Sequence, residues 1–393
     1  MVDIFEVKTK KQQKEFIEFP LKLYKDNPYF VPPLYGDEKA IFSPNYMYYD
    51  QAEAVFFNAY RDGKMVGRIS GILQKAANLK WKQNRARFTR FDAIDDQEVA
   101  NALFKAVEDW AKSKNVDEIV GPLSFSDLER EGLLIDGFDQ LSTFEEQYNY
   151  QYYQSLIENC GYDKDVDWIE YKINMPEPEM YERFARVSND LLKKYNLHFA
   201  KVGSTKQLLK RYADKVFALW DEAYDKIYGT VPFTDKVKKA MMAQFALVID
   251  KRYITFVVNE NDDIVAFGIV FPSMSKAVQK SGGRLTLPCL CRLLHDINHP
   301  KVVDMALIGV TEEYKNKGVA LALVADFAER MRKYDVKYAE TNLMLEHNNP
   351  IQNLWKHFDT TMHKRRRCFI KKFNDTSATQ DKTTNDQQNV VNG

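Results

Sequence analysis

Apolar positions along the chain change period several times, and the changes mark out elements. Ala54–Tyr60 and Met65–Leu73 are apolar-rich runs joined by Arg61-Asp62-Gly63-Lys64, and an Asp-Gly turn between such runs predicts a β-hairpin. Ala86–Ile94 reads as a third strand. Asp96 then caps a helix reaching Lys114, with Val99, Leu103, Ala106, Val107 and Trp110 on one face. Ile119–Leu123 is the next strand, a Gly-flanked apolar loop follows at Leu133–Phe138, and a helix from Tyr152 stops at Gly161. Trp168–Ile173 closes this half as a strand, and Pro176 and Pro178 break the pattern. Before the hairpin, residues 1–50 form short helical pieces broken by prolines.

The same order then returns. Helices fit Lys206–Tyr228 and Asp235–Asp250, and a hairpin joins Tyr253–Asn259 to Ile264–Phe271. An insertion, Pro272–Pro300, precedes an apolar strand at Met305–Val310. A polar turn, Thr311–Lys317, leads to Gly318 and a helix whose apolar face is Ala320, Leu323, Val324, Phe327 and Met331. Lys337–Leu345 reads as a strand, Asn349–Phe358 as a short helix opened at Pro350, and Cys368–Phe373 as the closing strand. Residues 374–393 are polar and read as a disordered tail. A repeat of this length predicts two similar units.

The strand–turn–helix around Gly318 carries the chemistry. A helix N-terminus offers unpaired N–H groups and the positive end of the helix dipole, which together suit an anion. Gly318 allows close backbone approach, and Lys315 and Lys317 add positive charge. Neither G-x-G-x-x-G nor G-x-x-x-x-G-K-[ST] occurs. Instead, Lys315-Asn316-Lys317-Gly318-Val319-Ala320 resembles the acetyl-CoA loop of the GCN5-related N-acetyltransferases (GNAT), R/Q-x-x-G-x-G/A, with Lys315 in place of Arg or Gln. Tyr152 to Gly161-Tyr162 resembles that family's closing helix in the first half. Gly121-Pro122 with Gly132–Asp139 is similar to a segment of larger bacterial acetyltransferase-like proteins.

The resemblance implies an α+β chain of two tandem GNAT-like folds, each a mixed central sheet flanked by helices. Residues 1–175 would be a degenerate domain, 176–190 a linker, and 191–373 the domain with the acyl-CoA loop. It implies acetyl-CoA or another acyl-CoA as co-substrate, held by Ile308, Gly309 and Val310 on the strand, by Lys315 to Ala320 (Asn316, Lys317, Gly318 and Val319 between them), and by Asn348. The first half, with no glycine turn ahead of the Asp96 helix, is expected to bind no nucleotide. Direct transfer to an amine needs a proton acceptor. Asp304, at the strand position where a related branch carries a glutamate, and Glu346 are the candidates. Trp355 stands where the family often has a tyrosine that protonates the leaving thiolate, and an indole cannot do so. The expected acceptor, a small-molecule or peptide amine, would lie between the halves, with Leu133–Phe138 supplying part of the wall.

Composition narrows this further. Lys+Arg 56 equals Asp+Glu 56, so no overall field recruits nucleic acid or an anionic membrane. No apolar run approaches the ~20 residues of a membrane span, and the first residues lack a signal-peptide core, so a cytoplasmic location is expected. Four cysteines define no disulfide framework. Cys289, Cys291, His295 and His299 are soft ligands on a helical spacing, but C-x-C is not a common zinc spacing, and no metal is expected. His363–Arg367 is a basic run, read as a solvated loop before the last strand or a partner for coenzyme A phosphates. The leading function, as the resemblance implies, is acyl-CoA-dependent N-acyltransferase. The alternatives are a non-catalytic acyl-CoA- or partner-binding protein on an eroded fold, and an aminoacyl- or peptidyl-transferase.

Overall fold

The computed structural model describes residues 1–245 and 249–373. Among them, fourteen strands join one sheet. The first seven are β1 (Asp3–Glu6), β2 (Ala52–Arg61), β3 (Lys64–Gln74), β4 (Arg85–Ala93), β5 (Glu118–Gly121), β6 (Leu133–Asp136) and β7 (Asp163–Asn174). The second seven are β8 (His198–Phe199), β9 (Ile254–Val258), β10 (Ile264–Pro272), β11 (Val302–Val310), β12 (Tyr338–Thr341), β13 (Met344–Leu345) and β14 (Thr360–Lys372). The β2–β3 hairpin turns at Asp62 and Gly63, both with positive φ (51° and 73°), as a tight turn matching strand twist requires. The parallel pairs β4–β5 and β11–β12 are each bridged by a helix, Gln97–Ser113 and Val319–Arg332. The two halves thus repeat one order, as the sequence pattern predicts.

The closing strands are exchanged. The order across the sheet is β1-β2-β3-β4-β5-β14-β7-β12-β11-β10-β9-β8. β14, last in the chain, pairs with β5 and β6 of the first half, and β7 pairs with β12 and β13 of the second. The segments Trp168–Ile173 and Cys368–Phe373 are strands as expected, but each completes the sheet of the other half. Their mutual antiparallel pairing, Thr360–Ile370 against Ile173–Asp163, fuses the two sheets. A strand's apolar pattern specifies that it is half buried, not which sheet receives it.

Three further expectations change. Residues 176–190, read as a linker, lie mostly in the helix Pro178–Lys194, whose Leu191 and Leu192 pack with Val319, Ala322 and Leu323. Leu133–Asp136, read as a loop, is β6, paired with Arg365–Arg367; Leu133 and Leu134 are buried in the first core. His363–Arg367, read as a solvated loop, lies inside β14. Alternation puts Lys364 and Arg366 on one face and Arg365 and Arg367 on the other. Lys364 and Arg366 are 1% and 0% exposed and reach Glu170, at 3.2 and 2.7 Å, and Glu146; Lys364 also reaches Glu340 at 3.1 Å. Arg365 and Arg367 meet buried Asp167. The basic run is the ion-paired seam between the halves. The expected disordered tail, 374–393, lies outside the described residues. No helix among those described is long and apolar enough to cross a membrane.

Candidate active site

β11 departs from ideal pairing where the site begins. Ile269 pairs with Leu307 and Val270 with Met305, so Ala306 is an extra residue, a bulge. β12 pairs with β11 only as far as Met305–Thr341, after which the two strands diverge. Asn342 follows them into the gap, its N–H on Met305 O at 3.2 Å and its amide on Ala306 O at 3.4 Å. Beyond it, the main chain of Ile308 faces no strand of the described residues on that side. The Tyr224 hydroxyl sits there, donating to Ile308 O at 3.2 Å and accepting from Ile308 N at 3.3 Å. Burial pushes the Tyr224 phenol up to about 12, so it is protonated at neutral pH.

The turn after β11 ends at Gly318, whose φ of 78° is left-handed. Gly318 caps the helix Val319–Arg332 with no side-chain hydrogen bond, leaving the cap open, and a Cβ there would meet Leu191 Cδ1 at 2.8 Å. The two lysines are partly tied down. Lys315 pairs with Glu312 at 3.2 Å, while Lys317 lies 3.6 Å from Glu313 and over the rings of Tyr195 and Tyr314. The equivalent helix of the first half is closed: the Asp96 carboxylate accepts from Glu98 N and Val99 N at 2.9 and 3.3 Å and pairs with Arg61 at 2.6 Å. The first half's cleft is filled as well, because the hydroxyls of Tyr152 and Tyr153 occupy Ala93 O and Ala93 N.

A cavity of about 150 Å³ opens where β11 and β12 part. One wall is Ala306, Leu307, Asn342–Leu345 and Asn348 from the second half; the facing wall holds Asp127, Glu129, Glu131, Glu145 and Glu146 from the first. Glu129 is committed to Tyr46, Ser124 and Phe125 N. Among the described residues, Asp127, Glu131 and Glu145 form no ion pair. Burial raises all three: Glu131 well above the usual carboxylate range, Asp127 less far, and Glu145 to about 7. Arg130, the cation that draws Glu145 back down, donates to the carbonyls of Val31 and Phe144 instead. Sequence reasoning missed these acids and Tyr224. The signal was present in Asp127-x-Glu129-x-Glu131 and Glu145-Glu146, runs of acids outside any amphipathic helix.

The sequence-predicted residues fall as follows. Ile308, Gly309 and Val310 end β11, and Gly309 lies against the Phe267 ring, where a Cβ would collide. Lys315, Asn316, Lys317, Gly318, Val319 and Ala320 form the turn and first helical residues. Asn348 lines the cavity and precedes the helix Asn349–Trp355. Asp304 is 8% exposed, two residues before the cavity wall, and its oxygens make no hydrogen bond of full geometry. Burial, then Glu340 and Glu145, push it well above the usual range, offset only in part by Ser273. Glu346 is held by Lys164 at 2.7 Å and by Asp167 N at 3.2 Å, and sits below its ordinary pKa against the pull of burial. Trp355 is buried, its indole N–H on Met344 Sδ at 3.1 Å. Phe138 packs on the first core and is not part of the cavity wall, so the shared wall comes from the segments flanking it.

The segment holding this strand end and glycine-capped helix is also the one that matches a known family. Residues 213–359 match the acetyltransferase (GNAT) family. Residues 213–359 thus carry the similarity to the GNAT acetyltransferases. The match contains β9 to β12, the Gly318 turn and the Trp355 helix. Protein YghO of Escherichia coli is 25% identical over 371 residues, 92% of this chain and 93% of that protein. The bacterial ceramide synthase of Caulobacter vibrioides is 27% identical over 385 residues, 94% and 97%. Among solved structures, a tandem GNAT protein from the clavulanic acid biosynthesis pathway superposes with a TM-score of 0.57 at 11% identity, covering 96% of this chain and all of that one. A GNAT from Sphaerobacter thermophilus does so at 0.50 and 12%, covering 94% and 95%. The tandem GNAT architecture accords with the fold class expected from the sequence.

Proposed function

We propose that the chain is an acyl-CoA-dependent N-acyltransferase that binds its donor in the second half and its amine in the cavity between the halves. The observation that carries this is the juxtaposition of the free β11 edge with an acid-lined cavity. The pyrophosphate of the donor meets the open N-terminus of the helix at Gly318, with Lys315, Asn316 and Lys317 beside it and Val319 and Ala320 offering N–H groups. The pantetheine arm runs along Ile308–Val310, displacing the Tyr224 hydroxyl from Ile308, and Asn348 borders the reacting end. Asp127 and Glu131, carboxyls with no ion-pair partner among the described residues, ionise against an incoming ammonium, whose positive charge lowers the pKa that burial raises.

Glu145, near neutrality, takes the first proton from that ammonium. The amine nitrogen attacks the thioester carbonyl carbon, the C–S bond breaks, and the thiolate takes the proton of Tyr224. The second proton lost by nitrogen restores the phenol. Asp304, which burial, Glu340 and Glu145 keep protonated, acts behind Glu145 as a neutral positioning residue. Glu346 has a structural role at the entry to the Trp355 helix. The name of the Caulobacter relative, a ceramide being an amide, accords with amide formation. The test is release of free thiol from acyl-CoA with a panel of primary amines. The wild type is expected to release thiol with at least one amine, and Glu145→Gln to lower kcat by about 10²-fold or more, the scale of general-base loss. Thiol release by Glu145→Gln at the wild-type rate would remove Glu145 from this role.

A further inference from the structure

A second cavity lies beside the first. It is walled by the helix Thr205–Tyr224, with Met242 and Ile249, on one side and by β9, β10 and β11 on the other, and no polar atom of the described residues contributes to its surface. Leu208, Ala213 and Val216 from the helix face Ile254, Phe256 and Ile269 from the sheet. Trp220, Phe271 and Leu307 line both cavities and so form the shared wall between them. Leu307 is the residue after the Ala306 bulge, on the strand whose free edge receives the donor in the reading above.

We propose that this second cavity, of about 50 Å³, holds the first methylenes of the donor's alkyl chain, so that the donor is an acyl-CoA longer than acetyl-CoA. The inference rests on the donor site proposed above. A cavity with no polar wall offers nothing to a charged or hydrogen-bonding group and is suited to methylenes, whose transfer from water is favourable. An acyl chain leaves the thioester carbonyl beside Ala306 and Leu307, and Leu307 is the shared wall. The amine is the group for the other cavity, where the carboxylates stand. The two substrates are thereby sorted by charge on the two sides of Trp220, Phe271 and Leu307.

The test is calorimetric titration of the full chain with coenzyme A and with acetyl-, butyryl-, hexanoyl-, octanoyl- and dodecanoyl-CoA. Affinity is expected to rise roughly fourfold per methylene until the cavity is filled, the increment for burying one such group. Ala213→Phe, which fills the cavity from the helix side, is expected to keep the wild-type affinity for coenzyme A and acetyl-CoA and to abolish the rise. Equal affinity for all chain lengths, with coenzyme A still bound, would overturn this inference and leave the donor site standing. So would a rise that Ala213→Phe leaves unchanged, because the chain would then lie elsewhere. Absence of coenzyme A binding would overturn the donor site and this inference together. A parallel series of n-alkylamines that gains affinity with length and loses it in Ala213→Phe would assign the cavity to the acceptor and overturn the donor-chain assignment.

Discussion

Glu145 is where stability and activity pull in opposite directions. Its pKa in the folded chain, about 7, lies above the ordinary value because burial penalises the charged form. The folded state therefore holds a proton that the unfolded state releases, so the group costs stability as pH rises from the ordinary carboxylate range through about 7. Glu145→Gln removes that cost, and the variant is expected to be more stable than the wild type at pH 8 by roughly 1 to 3 kcal/mol. The gain should vanish near pH 4, where both states of the wild type are protonated; urea unfolding at the two pH values measures this. Activity has the opposite sign. A base must be deprotonated, so kcat/KM should fall as pH drops below about 7, and a pH–rate profile with no limb in that region would argue against Glu145. At the seam, Lys364 is ion-paired to Glu170 and Glu340 while almost wholly buried. Lys364→Met leaves Glu170 and Glu146 short of one counter-charge, and a loss of about 3 to 5 kcal/mol is expected in denaturant unfolding.

At the scale of elements, the two helix N-termini that occupy equivalent places in the halves differ in one property. Asp96 fills its own cap with a carboxylate, whereas Gly318 leaves its cap open. Asp96→Ala is expected to destabilise the first half by about 1 kcal/mol, as loss of a cap does, without creating a nucleotide site, because Tyr152 and Tyr153 still fill the cleft. Calorimetry with coenzyme A checks the second part and thermal unfolding the first. This contrast was legible in the sequence: an Asp before one apolar-periodic run, a Gly before the other. The hairpins, the helices and their order were legible for the same reason, since each is set by local periodicity and turn residues. What was not legible depends on distant partners. Arg365–Arg367 looks like a solvated run until β6 and β7 flank it, and a strand cannot announce its neighbour. The cavity acids were missed because Asp127–Glu131 and Glu145–Glu146 lie in irregular segments whose surroundings come from the other half.

Over the whole molecule, exchange of β7 and β14 makes each half incomplete without the other. Residues 1–175 expressed alone lack β14, the neighbour of β5, and are expected to give no cooperatively folded monomer; mixed with 176–373 they should form a 1:1 complex. A monomeric 1–175 with a single sharp unfolding transition would contradict the structural weight given to the exchange. The same arrangement gives the duplication its purpose in this account: the second half holds the donor, and the first half supplies acids to the acceptor cavity while its own donor cleft is filled. Titration of the full chain with coenzyme A tests this most directly. The expected result is one molecule bound per chain, with binding abolished in Gly318→Glu, where a Cβ already meets Leu191 and the added carboxylate repels phosphate. Two molecules per chain, or unchanged affinity in Gly318→Glu, would contradict it.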